Sequence, residues 1–511
     1  NTSLPLSATT FPKINSFLKN IEPRIGLAYT PDFMRKMVVH AGFAINVDPE
    51  FYNIFLNLAT NAPLLNSGYF ACDGITISCV PNGGLNFSTV KADDQFLPTG
   101  GDPRAGLEFN VPTNFRNPMA ETYSLGVQYQ VFPAAVMEIR YVGNHTFDQF
   151  QALNSNPDIL DVQSVFPSYG TGTAPCTDST APGYTRLNCN NSIVETTGNT
   201  AFSIYNGLQS SLTVRDFHHW TGTASYTYSR TLDNASEIFS TGSGGTTSAL
   251  AQDPLNSDAG ERGVSGNSYP SVWGIQMAYN EPWFSRQSGI LSRMLGGYFF
   301  NAFYQYNGGQ PFNPIQNAYS AQSTPVLGYI AANPNINAAE AETSFCDANF
   351  AAFFGNSCRP ILSNPSAPKS SIGINTGPGG YIDYVTGNPT SPSSEHWLWN
   401  NQYEAIARNN PFPGAGRNIL RGDSFNNVDL TIGKTLKITE RINIVLQASA
   451  FNVLNRAYYG TPDPNIEDSA FGGFLSSFYA FGTSPESSAA GGAYQQGLGN
   501  RNIQLSGKIT F

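Results

Sequence analysis

Asn502-Ile503-Gln504-Leu505-Ser506-Gly507-Lys508-Ile509-Thr510-Phe511 closes the chain, and its alternation decides the fold. Ile503, Leu505, Gly507, Ile509 and Phe511 share one parity; Asn502, Gln504, Ser506, Lys508 and Thr510 share the other. Successive side chains of a strand point to opposite faces, so the segment reads as a strand with one apolar and one polar face. Upstream, Thr221, Thr223, Ser225, Thr227, Ser229 and Thr231 form an unbroken hydroxyl row, with Gly222, Ala224, Tyr226 and Tyr228 opposite. A polar lumen on one side and lipid on the other explain both patterns.

Composition agrees. Of 511 residues, 40% are hydrophobic and 13% aromatic, but only 12% are charged, about half of the roughly 25% usual for a soluble domain. Asn, Gln, Ser, Thr and 49 glycines supply the remaining polarity. The net charge of −10, without a basic run, excludes a nucleic-acid binder, which needs clustered Lys and Arg. No apolar stretch approaches the roughly 18 residues of a spanning helix, so a membrane span here must be built from strands.

The same alternation predicts strands near 23–30, 37–46, 121–131, 135–144, 204–216, 220–233, 271–282, 295–308, 426–437, 442–455 and 502–511. These are about eleven strands, each near or above the roughly 9 to 11 residues of a tilted membrane strand. Short links alternate with long ones at 47–120, 145–203, 234–270, 309–425 and 456–501. Tight turns at one rim and long loops at the other describe an all-β, antiparallel outer-membrane barrel with extracellular loops. A soluble sandwich or propeller would not need loops of this length at one end only.

With the C-terminus periplasmic, counting back makes both the last strand and 23–30 run inward. An odd count cannot close a single-chain bacterial barrel with both ends periplasmic. Residues 1–22 are therefore expected to be the end of a preceding loop, and 23–511 the C-terminal portion of a larger barrel.

Six cysteines fall in three close pairs, Cys72 with Cys79, Cys176 with Cys189, and Cys346 with Cys358. All lie in long loops. Fifteen connectivities are possible, but neighbour pairing closes short loops at little entropic cost, which predicts three local disulfides in an oxidising compartment. Zinc ligation would need tighter thiolate spacing, and no metal or cofactor is expected.

Several segments, in order, resemble TonB-dependent receptors of the Oar-like branch, which carry a carboxypeptidase regulatory-like domain. They include Pro23-Arg24-Ile25-Gly26-Leu27-Ala28-Tyr29-Thr30-Pro31, Val38-Val39-His40-Ala41-Gly42-Phe43, Glu138-Ile139-Arg140-Tyr141-Val142-Gly143 and Tyr205-Asn206-Gly207-Leu208-Gln209. Gly308-Gly309-Gln310-Pro311-Phe312, Phe451-Asn452-Val453-Leu454-Asn455 and the terminal strand complete the series. The resemblance covers residues from about 23 to the end, apart from loop interiors. It implies the C-terminal half of a receptor barrel that admits a substrate when the TonB complex pulls on a plug. Plug, TonB box and regulatory-like domain have no counterpart in these residues. It also implies that Ile509 and Phe511 belong to the signal read by the barrel-assembly machinery. Outer-membrane lipid is the expected surroundings, with a second copy or a surface partner as further possibilities.

Candidate sites have plainer readings beside them. His218 and His219 could hold a metal, but beside Trp220 they suit an interfacial turn. His396, Trp397 and Trp399 could stack on a sugar or aromatic ligand, or pack their loop on itself. Arg421-Gly422-Asp423 matches an adhesion tripeptide yet sits just before a strand. Glu261-Arg262-Gly263 reads as a charged pair at the rim or lumen. No phosphate loop, nucleophile elbow or His-Glu-x-x-His motif is present, and no enzyme is expected. The runner-up to transport is a structural or surface-binding barrel whose stapled loops contact partners.

Overall fold

The computed structural model describes residues 20–49, 54, 108–170, 174, 176–181, 183–236, 251–258, 260–284, 287–316, 324–346, 358–439, 441–456, 462–468, 471 and 501–511, with two short strands at 68–69 and 97–98. Most of the expected leading loop and the pair Cys72 and Cys79 lie outside the described residues.

Eleven long strands form one antiparallel sheet in chain order. They are β1 (Arg24–Tyr29), β2 (Met37–Val47), β3 (Met119–Phe132), β4 (Ala135–Asn154), β5 (Val194–Phe217) and β6 (Trp220–Asp233), then β7 (Ser271–Asn280), β8 (Tyr298–Asn307), β9 (Phe425–Lys437), β10 (Asn443–Phe451) and β11 (Asn502–Thr510). Every stretch predicted from alternation is a strand. Among the described residues, β1 pairs only with β2 and β11 only with β10.

Register turns the alternation of single strands into two continuous faces. Leu505 lies opposite Ala448, which lies opposite Ile432, then Phe300, Tyr279 and Trp220, an apolar row across six strands. One residue away, Gln504, Ser449, Thr431, Asn301, Ala278 and Thr221 form the opposite, mostly polar row. Leu505 is 78% exposed, and an apolar face this extensive is stable only against lipid. Trp220 against Tyr279 (4.7 Å) and Tyr226 against Trp273 (4.1 Å) mark two levels of that face. They stand about 20 Å apart along β6, as the aromatic girdles of a lipid-facing band do.

The turns have local causes. Between β5 and β6, His218 (φ 50°) and His219 (φ 69°) both take left-handed backbone, which matches the twist of a two-residue hairpin. Between β7 and β8 the link contains a short helix, Ile290–Leu295, exposing Ile290, Leu291, Met294 and Leu295 beside exposed Trp283 and Phe284.

Most strand ends fall within about three residues of expectation, and three boundaries differ by more. β4 and β5 run on to 20 and 24 residues, well beyond the predicted 135–144 and 204–216. In their outer halves Phe150, Gln151, Ala152, Asn154, Glu195 and Ala201 are buried whether polar or apolar. Protein covers both faces there, and the two-sided contrast that marks lipid against water disappears. β10 stops at Phe451 rather than 455, because Asn452 (φ 49°) and Asn455 (φ 51°) leave the strand region. Asn452 then clamps the turn, donating from Nδ2 to the Arg456 carbonyl and accepting the Arg456 amide.

Candidate functional site

The polar face carries a cluster built on one glycine. A Cβ on Gly126 would come within 2.3 Å of the His40 ring, so only glycine lets the imidazole lean across β3. His40 Nε2 thereby lies 3.5 Å from Glu138 on β4. Arg140 lies 3.9 Å from the same carboxylate and donates from Nη2 to Gln209 on β5 at 2.6 Å. Nearby strands line a cavity of about 640 Å³ with Thr213, Arg215, Thr223, Gln276, Asn301 and Asp429. Its walls offer hydrogen bonds of both senses and both signs of charge.

At the long-loop end the loops knit into a cap. Residues 309–425 contain a five-stranded sheet, ordered Ile361–Leu362, Trp397–Leu398, Ile372–Asn375, Tyr381–Asp383 and Pro389–Thr390, with helices Thr324–Ala332, Ala338–Glu342 and Gln402–Arg408. Val326, Ile330, Ile372, Ile374, Ile382 and Trp397 give it its own core. The loop between β4 and β5 joins through Phe166 on Phe345 (6.0 Å) and Tyr169 on Phe412 (5.5 Å). Tyr169 also donates to Asp253 in the loop after β6, and burial holds the pKa values of both groups above their ordinary ranges. The loop after β10 contributes Ile466 and Glu467, the latter accepting from the Trp399 indole.

Four buried charges lock this cap to the barrel. Arg359 donates to both oxygens of Glu261, at 3.0 and 2.9 Å. Arg417 donates to Asp233 at the end of β6, at 2.9 Å, and lies 3.8 Å from Glu261. Glu261 is 0% exposed and Arg417 1%. Remaining donors are used: Arg359 Nε reaches the Ala415 carbonyl, Arg417 Nη2 the Ser236 hydroxyl, and the Gln252 amide the Glu261 carboxylate. Glu261 thus does pair at the rim, but with Arg359 and Arg417; the sequence offered Arg262 beside it, and partners 98 and 156 positions away leave no local trace.

Cysteines staple the cap. Cys346 and Cys358 are bonded beneath Phe345 and Phe412, and Cys176 and Cys189 are bonded in the loop between β4 and β5. His396, Trp397 and Trp399, candidates for ligand contacts, are instead core: both indoles are 0% exposed. The His396 ring bonds the Ala367 carbonyl and the Trp397 indole donates to the Lys369 carbonyl. They fold the loop and present no face to a ligand from outside. Arg421 of the tripeptide donates to the Ser268 and Gly309 carbonyls at 3.0 Å, which gives it a structural role. His218 and His219 serve the turn already described, and no group of three or more His, Cys, Asp or Glu able to hold a metal occurs among the described residues.

A cavity of about 380 Å³ opens between the outer ends of β4 and β5 and the loop after β6. Arg116 faces Asp148 across it at 3.4 Å. Asn199 fixes the pair, accepting from the Arg116 amide and donating to the Arg116 and Asp148 carbonyls at 2.7 to 2.8 Å. An oriented ion pair of this kind suits a small polar or zwitterionic molecule.

Strands with one lipid face and one polar face, tight turns at one end and a folded cap at the other define a membrane-spanning β-barrel. The chain belongs to the family described as the outer membrane beta barrel domain, whose model matches residues 11–504. It therefore resides in the bacterial outer membrane, with the capped end extracellular. A search of curated proteins gave no match. Among solved structures it is similar to the outer membrane transporter YddB of Escherichia coli (8% identity, TM-score 0.43, covering 96% of this chain and 40% of that one). It is also similar to a variant of the ferric enterobactin receptor PfeA of Pseudomonas aeruginosa (10%, TM-score 0.37, 96% and 40%). A third is the FrpB iron transporter of Neisseria meningitidis (9%, TM-score 0.37, 96% and 39%). The chain spans about two fifths of the length of these proteins.

Proposed function

We propose that this barrel is the C-terminal part of a TonB-dependent receptor of the Oar-like branch, importing a polar substrate across the outer membrane. The observation that carries the reading is the ordered series of receptor-like segments from Pro23 to Phe511, which fall on barrel strands or at strand ends. The polar wall around Gln209 and Gln276 and the cavity beside Arg116 and Asp148 supply hydrogen-bonding surfaces along such a path. In this reading further strands pair with β1 and β11, a plug fills the lumen, and Ile509 and Phe511 report the finished strand to the assembly machinery. The chain carries out no catalysis.

The test is the gene product itself. A plug and TonB box preceding Asn1, with crosslinking to the periplasmic domain of TonB that depends on that box, are expected. A gene product without them overturns transport. That outcome favours the second reading, a surface-binding platform, which rests on the separate hydrophobic core of the cap around Trp397 and Trp399.

A further inference from the structure

The chain carries ten more acidic than basic charges, yet arginines gather at the extracellular rim. Arg230 stands on β6 opposite Asn206 of β5, two residues beyond Tyr228, which pairs with Leu208. Tyr228 and Leu208 are both exposed members of the lipid face, so the parity of the strand turns Arg230 to the same side. It is exposed, directly above the upper aromatic level of Tyr226 and Trp273.

Arg421 comes to the same place from the loop before β9. Its Nη1 rests on the Ser268 carbonyl, and the Ser268 hydroxyl accepts the amide of Thr231, the residue after Arg230. Partial burial first, and the Arg230 charge second, hold the Arg421 pKa below its usual value. Two guanidinium groups held close enough to repel cost stability unless an anion lies between them. Arg262 extends the column. Exposed Arg262 immediately precedes Gly263 and Val264, which pair with Asp233 and Leu232, while Glu261 before it is engaged by Arg359. Among the described residues none of the three arginines has a carboxylate within ion-pair distance.

We infer that Arg230 and Arg421, flanked by Arg262, form a site for the phosphate of a phosphorylated lipid headgroup in the outer leaflet. Charge complementarity selects the ligand: a guanidinium fork matches phosphate geometry, and two forks can share one phosphate between them. Position selects the source. On the Arg230 side the site meets the lipid–water boundary above an aromatic girdle, with Tyr228 and Leu208 below it to receive acyl chain.

The chain, extracted from outer membranes in a zwitterionic detergent, would be titrated with a bisphosphorylated diglucosamine lipid and with its enzymatically dephosphorylated form. Bound lipid would be counted by native mass spectrometry. Tighter binding of the phosphorylated form by about tenfold or more is expected, with that preference lost in the R230Q/R421Q variant. Equal binding of the two lipids, or an unchanged preference in a variant that keeps the heat-modifiable gel mobility of the folded barrel, overturns the site. Displacement of the lipid by millimolar inorganic phosphate overturns the assignment to a lipid. If the double variant does not fold, comparison of the two lipids on the unaltered chain decides the matter.

Discussion

Arg359 closes on Glu261 through two guanidinium nitrogens, joining positions 98 residues apart and fixing the largest extracellular loop to the loop that follows β6. Neither side chain retains measurable contact with water beyond a few per cent. Removing one partner of such a pair strands the other as an uncompensated buried charge, typically at about 3–5 kcal/mol. Glu261→Ala, which leaves both Arg359 and Arg417 without their shared carboxylate, is expected to loosen the cap while sparing the strands. Hydrogen exchange should rise across 358–425 and stay unchanged in β7 and β8; uniform protection throughout would show that the four charges do not hold the cap.

The Cys346–Cys358 bond closes a loop of 12 residues beneath Phe345 and Phe412. By the chain-entropy argument a link of this size contributes roughly 3 kcal/mol. Cys346→Ser with Cys358→Ser should therefore lower the thermal midpoint of the cap, and reductant should lower it further in the unaltered chain than in the variant, which keeps only the Cys176–Cys189 bond among the described pairs. Reductant that shifts both equally would place the effect at Cys176 and Cys189.

Glu195, at the outer end of β5 above the membrane, is 1% exposed, and Oε2 has no hydrogen-bond partner among the described residues. Burial raises its pKa to about 7. A carboxyl raised in the folded state stabilises fully below its unfolded pKa and loses that contribution as pH climbs through the folded value. The extracellular wall is thus expected to weaken as pH rises from about 4.5 to about 7, and Glu195→Gln should flatten that slope. Denaturant midpoints measured across this window provide the check; an identical slope in the variant would remove Glu195 as its source.

Trp399 fills the centre of the cap with its indole donating to Glu467. Trp399→Ala is expected to cost about 3–5 kcal/mol, the range for deleting a buried aromatic. Limited proteolysis should then cut within 324–408 while heat-modifiable mobility of the barrel persists. Resistance equal to that of the unaltered chain would mean that the indole is not central to the cap.

Faces of the last strand can be tested one residue apart. Leu505→Arg puts a charge into lipid, at about 2–4 kcal/mol near mid-bilayer, whereas Ser506→Arg puts it on the polar side. Refolding yield into vesicles should fall for the first and hold for the second. The reverse pattern would invert the barrel wall.

The lipid-bathed part of the fold was legible in the sequence because lipid and water impose opposite demands on alternate residues. Thr221 to Thr231 and Ile503 to Phe511 record those demands directly. Beyond the membrane the demands cease. Gln151 and Ala152 are neighbours on β4, one polar and one apolar, and both are buried, so alternation could not follow β4 and β5 to their ends. The cap escaped for another reason: its organising contacts join residues such as Asp233 and Arg417, 184 positions apart, and no local pattern encodes them. His396, Trp397 and Trp399 stood out correctly as unusual, but density of aromatics marks a small core as readily as a ligand site. Gly126 illustrates what single-sequence reading misses, since its meaning lies in the His40 ring that covers it.

The height of the β4–β5 wall changes what the cell shows to its surroundings. At about 3.3 Å per residue, a strand of 24 residues runs roughly 80 Å, against a hydrocarbon layer of about 30 Å. Even tilted, it carries the loop tips clear of the lipid headgroups. An antibody, a phage fibre or a neighbouring cell meets the stapled cap first, so the antigenic identity of this protein is written in its loops and hidden in its barrel.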